Sequence, residues 1–443
     1  MDESEALEVA QRGVSVGLAS GAAAVEATVS IARRFHVEAR EDVVSKLERS
    51  TAKSLHLRAF VDGRKASLTT SDLSSEGLRA AVERTLARAE FVANDALAGL
   101  PEAFATDVPA LGLADVQLER RSAQEKVEEA LGLERLVRAA DARVVNSSGS
   151  NYSDASGVTA IANSAGFAAA YASTRAGRST APVAADGDVK RTAHYGTAGR
   201  HYAQLESAQA VARTAARRAV ELFGARKPST MRVPVIFERD VAAGILEDVF
   251  AAVSAANVAV GNSWLIGRLG AHIGSRYVNV VDDGRLEGKL GSAPFDGEGV
   301  ATRRTPVLQA GLLQTFLYDT YYARRLGAAS TGNSNGSGIG ASNFYLESGD
   351  MSLEELIAST RRGVFVLDTI GFATEHASGT YSRGARGFLV LDGELAYPVD
   401  EFTIAGTYAE MLAGIDGVAN DLRFDGAIVS PSFRVCEMTI SGN

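Results

Sequence analysis

Leu389-Val390-Leu391-Asp392-Gly393-Glu394-Leu395-Ala396-Tyr397 reads as two short apolar strand segments folded about an Asp-Gly pair. Asp-Gly suits the positive φ of a tight hairpin turn, and so short a connection joins antiparallel neighbours. The same pattern occurs upstream, where Leu55, Leu57, Ala59 and Val61 alternate along one strand and Asp62-Gly63 follows. Strands and helices do not alternate regularly around these hairpins. The expected fold class is therefore α+β with a mostly antiparallel sheet, in preference to a doubly wound one.

Outward from the first hairpin, Glu3 to Ala24 is Ala-rich with apolar residues at helical spacing and is expected to be a helix. Thr70-Ser71-Asp72-Leu73-Ser74 supplies caps for a second helix carrying Leu78, Val82, Leu86 and Ala89 and running to about Phe91. Further helices are read over Ala123–Ala140 and Ser207–Leu222. Between them, strands rich in Ser, Thr, Gly and Tyr cover Val144–Ala162, Phe167–Ser173 and Val189–Tyr202, which suits an antiparallel sheet with one wet face.

Gly224-Ala225-Arg226-Lys227-Pro228 then breaks every pattern, and a chain of 443 residues exceeds the roughly 250 to 300 at which single cores stop growing. Two domains are expected, an N-terminal α/β domain over 1–224 and a strand-rich C-terminal domain over 229–443. No internal repeat and no low-complexity tract is present.

Composition excludes several function classes. With 45 Lys and Arg against 54 Asp and Glu, the net charge of -9 repels phosphate backbones, so no direct nucleic-acid partner is expected. The acidic start MDESEALEVA is no signal peptide, and no run of about 18 uncharged apolar residues is available to span a bilayer. A cytoplasmic protein is the expectation. One cysteine, Cys436, excludes an internal disulfide and a multi-thiolate metal site, and its place in an alternating strand reads as a small buried residue.

Sites of chemistry are few. The histidines are His36, His56, His194, His201, His272 and His376, and none forms an i, i+4 pair. His194 and His201 are separated by Gly196 and Gly199, which speaks against a shared helix face. The loop TGNSNGSGIGASN over Thr331–Asn343 lacks the spacing of a P-loop or a dinucleotide fingerprint. Its glycines allow close backbone approach, as in a cleft wall, although a plain surface loop has the same composition. No nucleophile elbow occurs, and the carboxylate pairs Asp282-Asp283 and Glu247-Asp248 read as surface and turn residues.

Several segments taken together resemble the TldD/TldE (PmbA) metallopeptidase family. They are Leu57–Ser74, VVDDG (280–284), Phe295–Gly327, STGNSNGSG (330–338), Thr380–Gly406 and the closing SPSFRVCEMTISG (430–442). The resemblance spans nearly the whole chain, and the order and spacing of the segments carry it. It implies an N-terminal α/β domain and a strand-rich C-terminal domain.

In that family the active TldD members carry H-E-x-x-x-H on a helix early in the second domain and a later cysteine as third zinc ligand. Three protein ligands and an open water position are what a catalytic zinc requires, with a glutamate as general base. The corresponding helix here is Val241–Val253, with Leu246 and Glu247 against the His-Glu pair and Ala251 against the second histidine. The third ligand would fall near Ala419–Asp421, so Cys436 is not its counterpart. Glu247 stands either in place of the base or as a solvated helix glutamate.

The resemblance thus implies the non-catalytic TldE/PmbA branch: no cofactor or metal in this chain, zinc in a TldD-like partner, and an unfolded or leader-bearing peptide as substrate. Proteolysis is then expected only in the complex. Asn333, Asn343, Tyr381 and Arg383 are the expected contacts to peptide or partner in a shared cavity, although Arg383 could equally cap a turn. A stand-alone homodimeric peptide-binding protein on the same scaffold is the alternative, and an independent hydrolase centred on the Gly-rich loop is a third.

Overall fold

The computed structural model describes residues 2–371 and 374–443. The first half runs α1 (Glu3–Ala19), β1 (Ala24–Arg40), β2 (Val43–Val61), β3 (Arg64–Thr70), α2 (Ser75–Ala89), α3 (Val116–Arg120), α4 (Ala123–Ala139), β4 (Val144–Asn163), β5 (Ala168–Asp186), β6 (Val189–Thr192), β7 (Tyr195–Gly199) and α5 (Ala208–Val220). Its strands form one antiparallel sheet in the order β3-β2-β1-β4-β5-β6, with β7 also paired to β5. Asp62 and Gly63 take φ of 48° and 72°, the left-handed pair that a two-residue hairpin needs.

Asp2 opens α1 with a capping box, accepting from the Glu5 amide at 2.9 Å while the Glu5 carboxylate accepts from the Asp2 amide. The helix buries Ala6, Val9, Ala10, Gly13, Val14 and Gly17. Small residues let it lie close to the sheet: a Cβ on Gly17 would stand 2.7 Å from Val25.

Two strands are much longer than their sequences suggest: β2 starts at Val43 and not at Leu55, and β5 outruns its expected end. Phe167–Ser173 was the expected extent, but β5 continues to Asp186 and pairs with β4 along almost its whole length. Gly, Ser, Thr and Arg alternate with Ala in the added part, and without large apolar residues its alternation is masked.

The second half runs β8 (Met231–Phe237), α6 (Arg239–Val253), α7 (Ala255–Ala259), β9 (Val280–Asp283), β10 (Arg304–Gln309), β11 (Leu312–Leu313), α8 (Thr320–Leu326), β12 (Phe344–Leu346), α9 (Leu353–Ala358), β13 (Arg362–Ile370), β14 (Thr374–Glu375), β15 (Thr380–Leu391), β16 (Glu394–Thr407), α10 (Tyr408–Gly414), β17 (Ile415–Val418), β18 (Ile428–Val429) and β19 (Phe433–Ser441). Two sheets result, ordered β11-β10-β9-β12-β18 and β13-β8-β19-β16-β15-β14, with β17 on β19. Pairing is mostly antiparallel, with β13–β8 and β12–β18 parallel. The α+β class read from the sequence is the class observed. Helix α6 joins the two sheets, burying Ile245, Leu246, Val249 and Val253 in one core with Val235, Phe344 and Val364.

Cys436 is exposed, not buried. The register of β19 on β8 slips between Val435 and Met438, and that irregularity sets Cys436 and Glu437 outward. Among the described residues no helix is long and apolar enough to cross a membrane.

The halves are tied by polar and aromatic contacts. Arg58 of β2 is buried, with Glu26 at 3.5 Å, Glu298 at 3.3 Å and the Gly336 carbonyl at 2.8 Å. Phe295 meets Phe167 edge to face at 5.2 Å, and the Arg324 guanidinium donates to the carbonyls of Leu97 and Leu100.

Candidate functional site

Helix α6 begins at Glu238, whose carboxylate caps it by accepting from the Asp240 amide at 2.8 Å. Arg218 of α5 fixes this end across the halves, with Nη2 on Glu238 and Nη1 on Asp240, each at 2.8 Å. Burial, followed by the neighbouring Asp240, pushes the Glu238 carboxyl above its ordinary range.

Further along α6, Asp248 accepts from Arg383 Nη2 of β15 at 2.9 Å and from the Tyr408 hydroxyl. The Tyr408 ring stacks on Trp264 with centroids 6.4 Å apart. Asp248 thus anchors two elements to the half-buried flank of α6. Arg383 acts there as an ion-pair partner, and its Nη1 also reaches the Gly371 carbonyl at 3.5 Å.

The three positions set against the family's zinc motif do not converge. Leu246 is buried in the core, Glu247 is exposed, and Ala251 is half-buried. Five steps of a straight helix put Leu246 and Ala251 about 140° apart. Glu247 is a solvated helix glutamate, with its carboxyl raised by partial desolvation and then by Asp248.

Of the four expected cavity contacts, Asn333, Asn343 and Tyr381 lie in the interior. Asn333 donates to Asp282 at 2.7 Å and to the Gly340 carbonyl at 3.1 Å. Asn343 donates to the Asp283 carbonyl and to Ser292 Oγ, and its own oxygen accepts from the Gly291 amide at 3.0 Å. Tyr381 packs edge to face on Phe237 and Tyr408. These three side chains build the framework, because each is enclosed by the elements it joins.

Asp282 and Asp283, expected at the surface, are also buried, in β9. Asp282 accepts from Asn333 and from the Ser342 amide, which is what an interior carboxylate requires. Asp296 likewise accepts from the amides of Glu298, Val300 and Ser334. Burial raises Asp282 to about 6 and Asp296 to about 7. The ends of the Gly-rich loop are buried on this framework and only its tip is exposed. Gly291 is obligatory there, since a Cβ would stand 1.9 Å from the Ser342 carbonyl oxygen.

A cleft of about 800 Å³ lies between the halves. One wall is the face of β4 and β5 with Asn151, Ser153, Arg175, Gly177 and Ser179, and the opposite wall includes Val241 and Gly244 of α6 with Asp368 and Arg386. At one end the Tyr195 ring lies between the guanidiniums of Arg218 and Arg423, at 4.8 and 5.1 Å. None of the sequence-predicted site residues lines this cleft. The sequence offered no signal for it, because its arginines come from segments with no shared spacing.

Residues 25–89, 117–223 and 230–442 match, in turn, domain 1, the central domain and the C-terminal domain of the PmbA/TldA metallopeptidases. Metalloprotease PmbA of Escherichia coli O157:H7 is 33% identical over 96% of this chain and 94% of that protein. The chain belongs to the PmbA/TldD metallopeptidase family. A Metalloprotease PmbA homolog of Haemophilus influenzae is 32% identical over 100% of this chain and 97% of that one. The solved TldE of Thermococcus kodakarensis shares the fold, with a TM-score of 0.88 at 22% identity over 98% of this chain and 100% of the other.

A metallopeptidase zinc needs three converging ligands. In this PmbA/TldD-family chain the helix positions hold Leu246 and Ala251, and among the described residues no group of three His, Cys, Asp or Glu side chains is placed to hold a metal ion. The residues of α6 do not fit such an ion.

Proposed function

We propose that this chain is the metal-free, non-catalytic subunit of a TldD/TldE-type zinc peptidase, cleaving unfolded or leader-bearing peptides in the cytoplasm as a heterodimer with a zinc-binding TldD-like chain. The observation that supports this reading is the make-up of α6: an interior leucine at one ligand position, an alanine at the other, and no converging donors among the described residues. Family membership supplies the peptidase context, and the intact framework around Asp282 and Asp296 argues for a scaffold kept for assembly. Enclosing a partner's zinc between unlike subunits would admit extended peptides and exclude folded proteins on steric grounds.

Co-expression with a TldD-like chain is expected to give one complex in size-exclusion chromatography, burying more than the roughly 1,200 Å² of a specific interface. Two separate peaks from folded chains would refute the assignment. Arg383→Ala is expected to lower peptide cleavage by that complex several-fold while leaving assembly intact, because it frees Asp248 and the flank of α6 from one partner without opening the core. Wild-type cleavage by this variant would make Arg383 scaffold only.

A further inference from the structure

The outer half of β2 is an open sheet edge. β3 pairs with β2 only from Leu55 to Val61, and among the described residues no strand pairs with that edge between Val43 and Ser54. Every residue from Val43 to Lys53 is exposed. An edge of this kind offers its free N–H and C=O groups to another chain.

The other edge of β2 is closed by β1, with Val37 opposite Leu47 and Ala39 opposite Val44. Val37 and Ala39 are buried in one cluster with Phe35, Tyr152 and Ala130 of α4. Val44 and Leu47 carry that apolar layer on to the open edge, where they are 39% and 52% exposed. The edge is also held in place. At the β1–β2 turn the Glu41 amide donates to Glu134 at 3.1 Å, and Asn146 donates to the Glu41 carboxylate at 3.2 Å. A strand fixed in this way loses little freedom on pairing.

The sequence of the edge decides what fits it. Opposite residues of an antiparallel pair either both exchange hydrogen bonds or both do not, so two copies of one strand meet only with their two-fold axis through a residue. Ser45 is bulged against β1, which ends the regular alternation at Lys46, and β3 closes the edge at Leu55. Within that run an axis at Lys46, Glu48, Arg49 or Lys53 sets like charges face to face, and one at Thr51 sets Arg49 on Lys53. Axes at Leu47, Ala52 or Ser54 run into the bulge or into β3.

An axis at Ser50 has none of these faults. It sets Leu47 opposite Lys53, Glu48 opposite Ala52 and Arg49 opposite Thr51, with small residues at the centre and the aliphatic stem of Lys53 over the exposed leucine. Glu48 keeps its ion pair with Lys46 of the same strand, at 3.0 Å.

From the open edge, its apolar margin and this single compatible register we infer that two copies of the chain join through β2, paired antiparallel about Ser50 in one continuous sheet. The inference goes beyond the subunit reading and does not rest on it. No residue of this edge lines the cleft or belongs to α6.

Sedimentation velocity of the full chain over about a hundredfold concentration range is expected to show a monomer–dimer equilibrium, because a short, mostly polar contact gives a weak dimer. Ser50→Lys sets two ammonium groups face to face at an exposed position and is expected to weaken the dimer about threefold or more. Opposite Cα atoms in such a pair stand about 4.5–5.5 Å apart, within the span of a disulfide. With Cys436→Ser removing the native thiol, Ser50→Cys is therefore expected to cross-link under mild oxidation, and Glu48→Cys, opposite Ala52, is not.

A monomer at every concentration, or a dimer indifferent to Ser50→Lys, would overturn the contact, and equal cross-linking at both positions would overturn the register. Thermal unfolding checks that each variant is folded. Association with a TldD-like chain is measured separately, and its failure would remove the subunit reading and leave this result standing.

Discussion

Arg58→Met is expected to cost the fold about 3–5 kcal/mol in chemical denaturation at neutral pH. Arg58 pairs with both Glu26 and Glu298, and all three side chains are buried. Removing it leaves two interior carboxylates facing one another across the halves and orphans the Gly336 carbonyl. A loss under about 1 kcal/mol would mean that water reaches this site and screens it.

The same cluster makes stability depend on pH. Burial holds Glu26 at about 7 in the folded chain, against an ordinary 4.5. The folded state thus takes up the proton more readily than the unfolded one. The stability this adds is fully present below about 4.5 and is lost as pH rises through about 7. Asp296, raised to about 7 from 3.8, acts in the same direction. Glu26→Gln is expected to flatten part of this fall between pH 5 and 7.5, and an unchanged slope would remove Glu26 as its source.

The second large effect concerns an attempt to restore the zinc helix. Leu246→His with Ala251→His is expected to destabilise the chain by about 2–4 kcal/mol and to yield neither stoichiometric zinc nor peptide hydrolysis. Leu246 lies in the core that joins both C-terminal sheets, so an imidazole there is buried without a partner while apolar contacts are lost. The new pair would supply two ligands on different faces, with no third ligand and no side chains placed to orient them. Thermal unfolding and metal analysis of the double variant would check both parts. A stable protein with one tightly held zinc would show that α6 retains a ligand geometry.

Much of the fold was legible because it is written in local rules. Asp62-Gly63 and Asp392-Gly393 take the left-handed backbone that the sequence requires of them, and Ser74 caps the start of α2. The α+β class followed from those hairpins. The length of β5 was not legible, since its outer half alternates small and polar residues for the sake of the cleft wall.

The site was legible only where a motif carries it. Aligned motifs located α6 and its missing imidazoles, and they also singled out Asn333, Asn343 and Tyr381, which are buried in the framework of this chain. Polar residues recur in such motifs for two reasons, contact with a ligand and satisfaction of buried groups, and sequence alone does not separate them. Asp282 shows the second: as a carboxylate it reads as surface, yet two internal donors make its burial tolerable. The cleft itself depends on residues from both halves, so no local spacing announces it.

The most direct measurement of the central claim is the zinc content of the purified, dialysed chain together with its hydrolysis of an unfolded peptide, with and without chelator. The account predicts far less than one equivalent of zinc and no chelator-sensitive cleavage by this chain alone. About one equivalent of zinc with chelator-sensitive peptidase activity would contradict it.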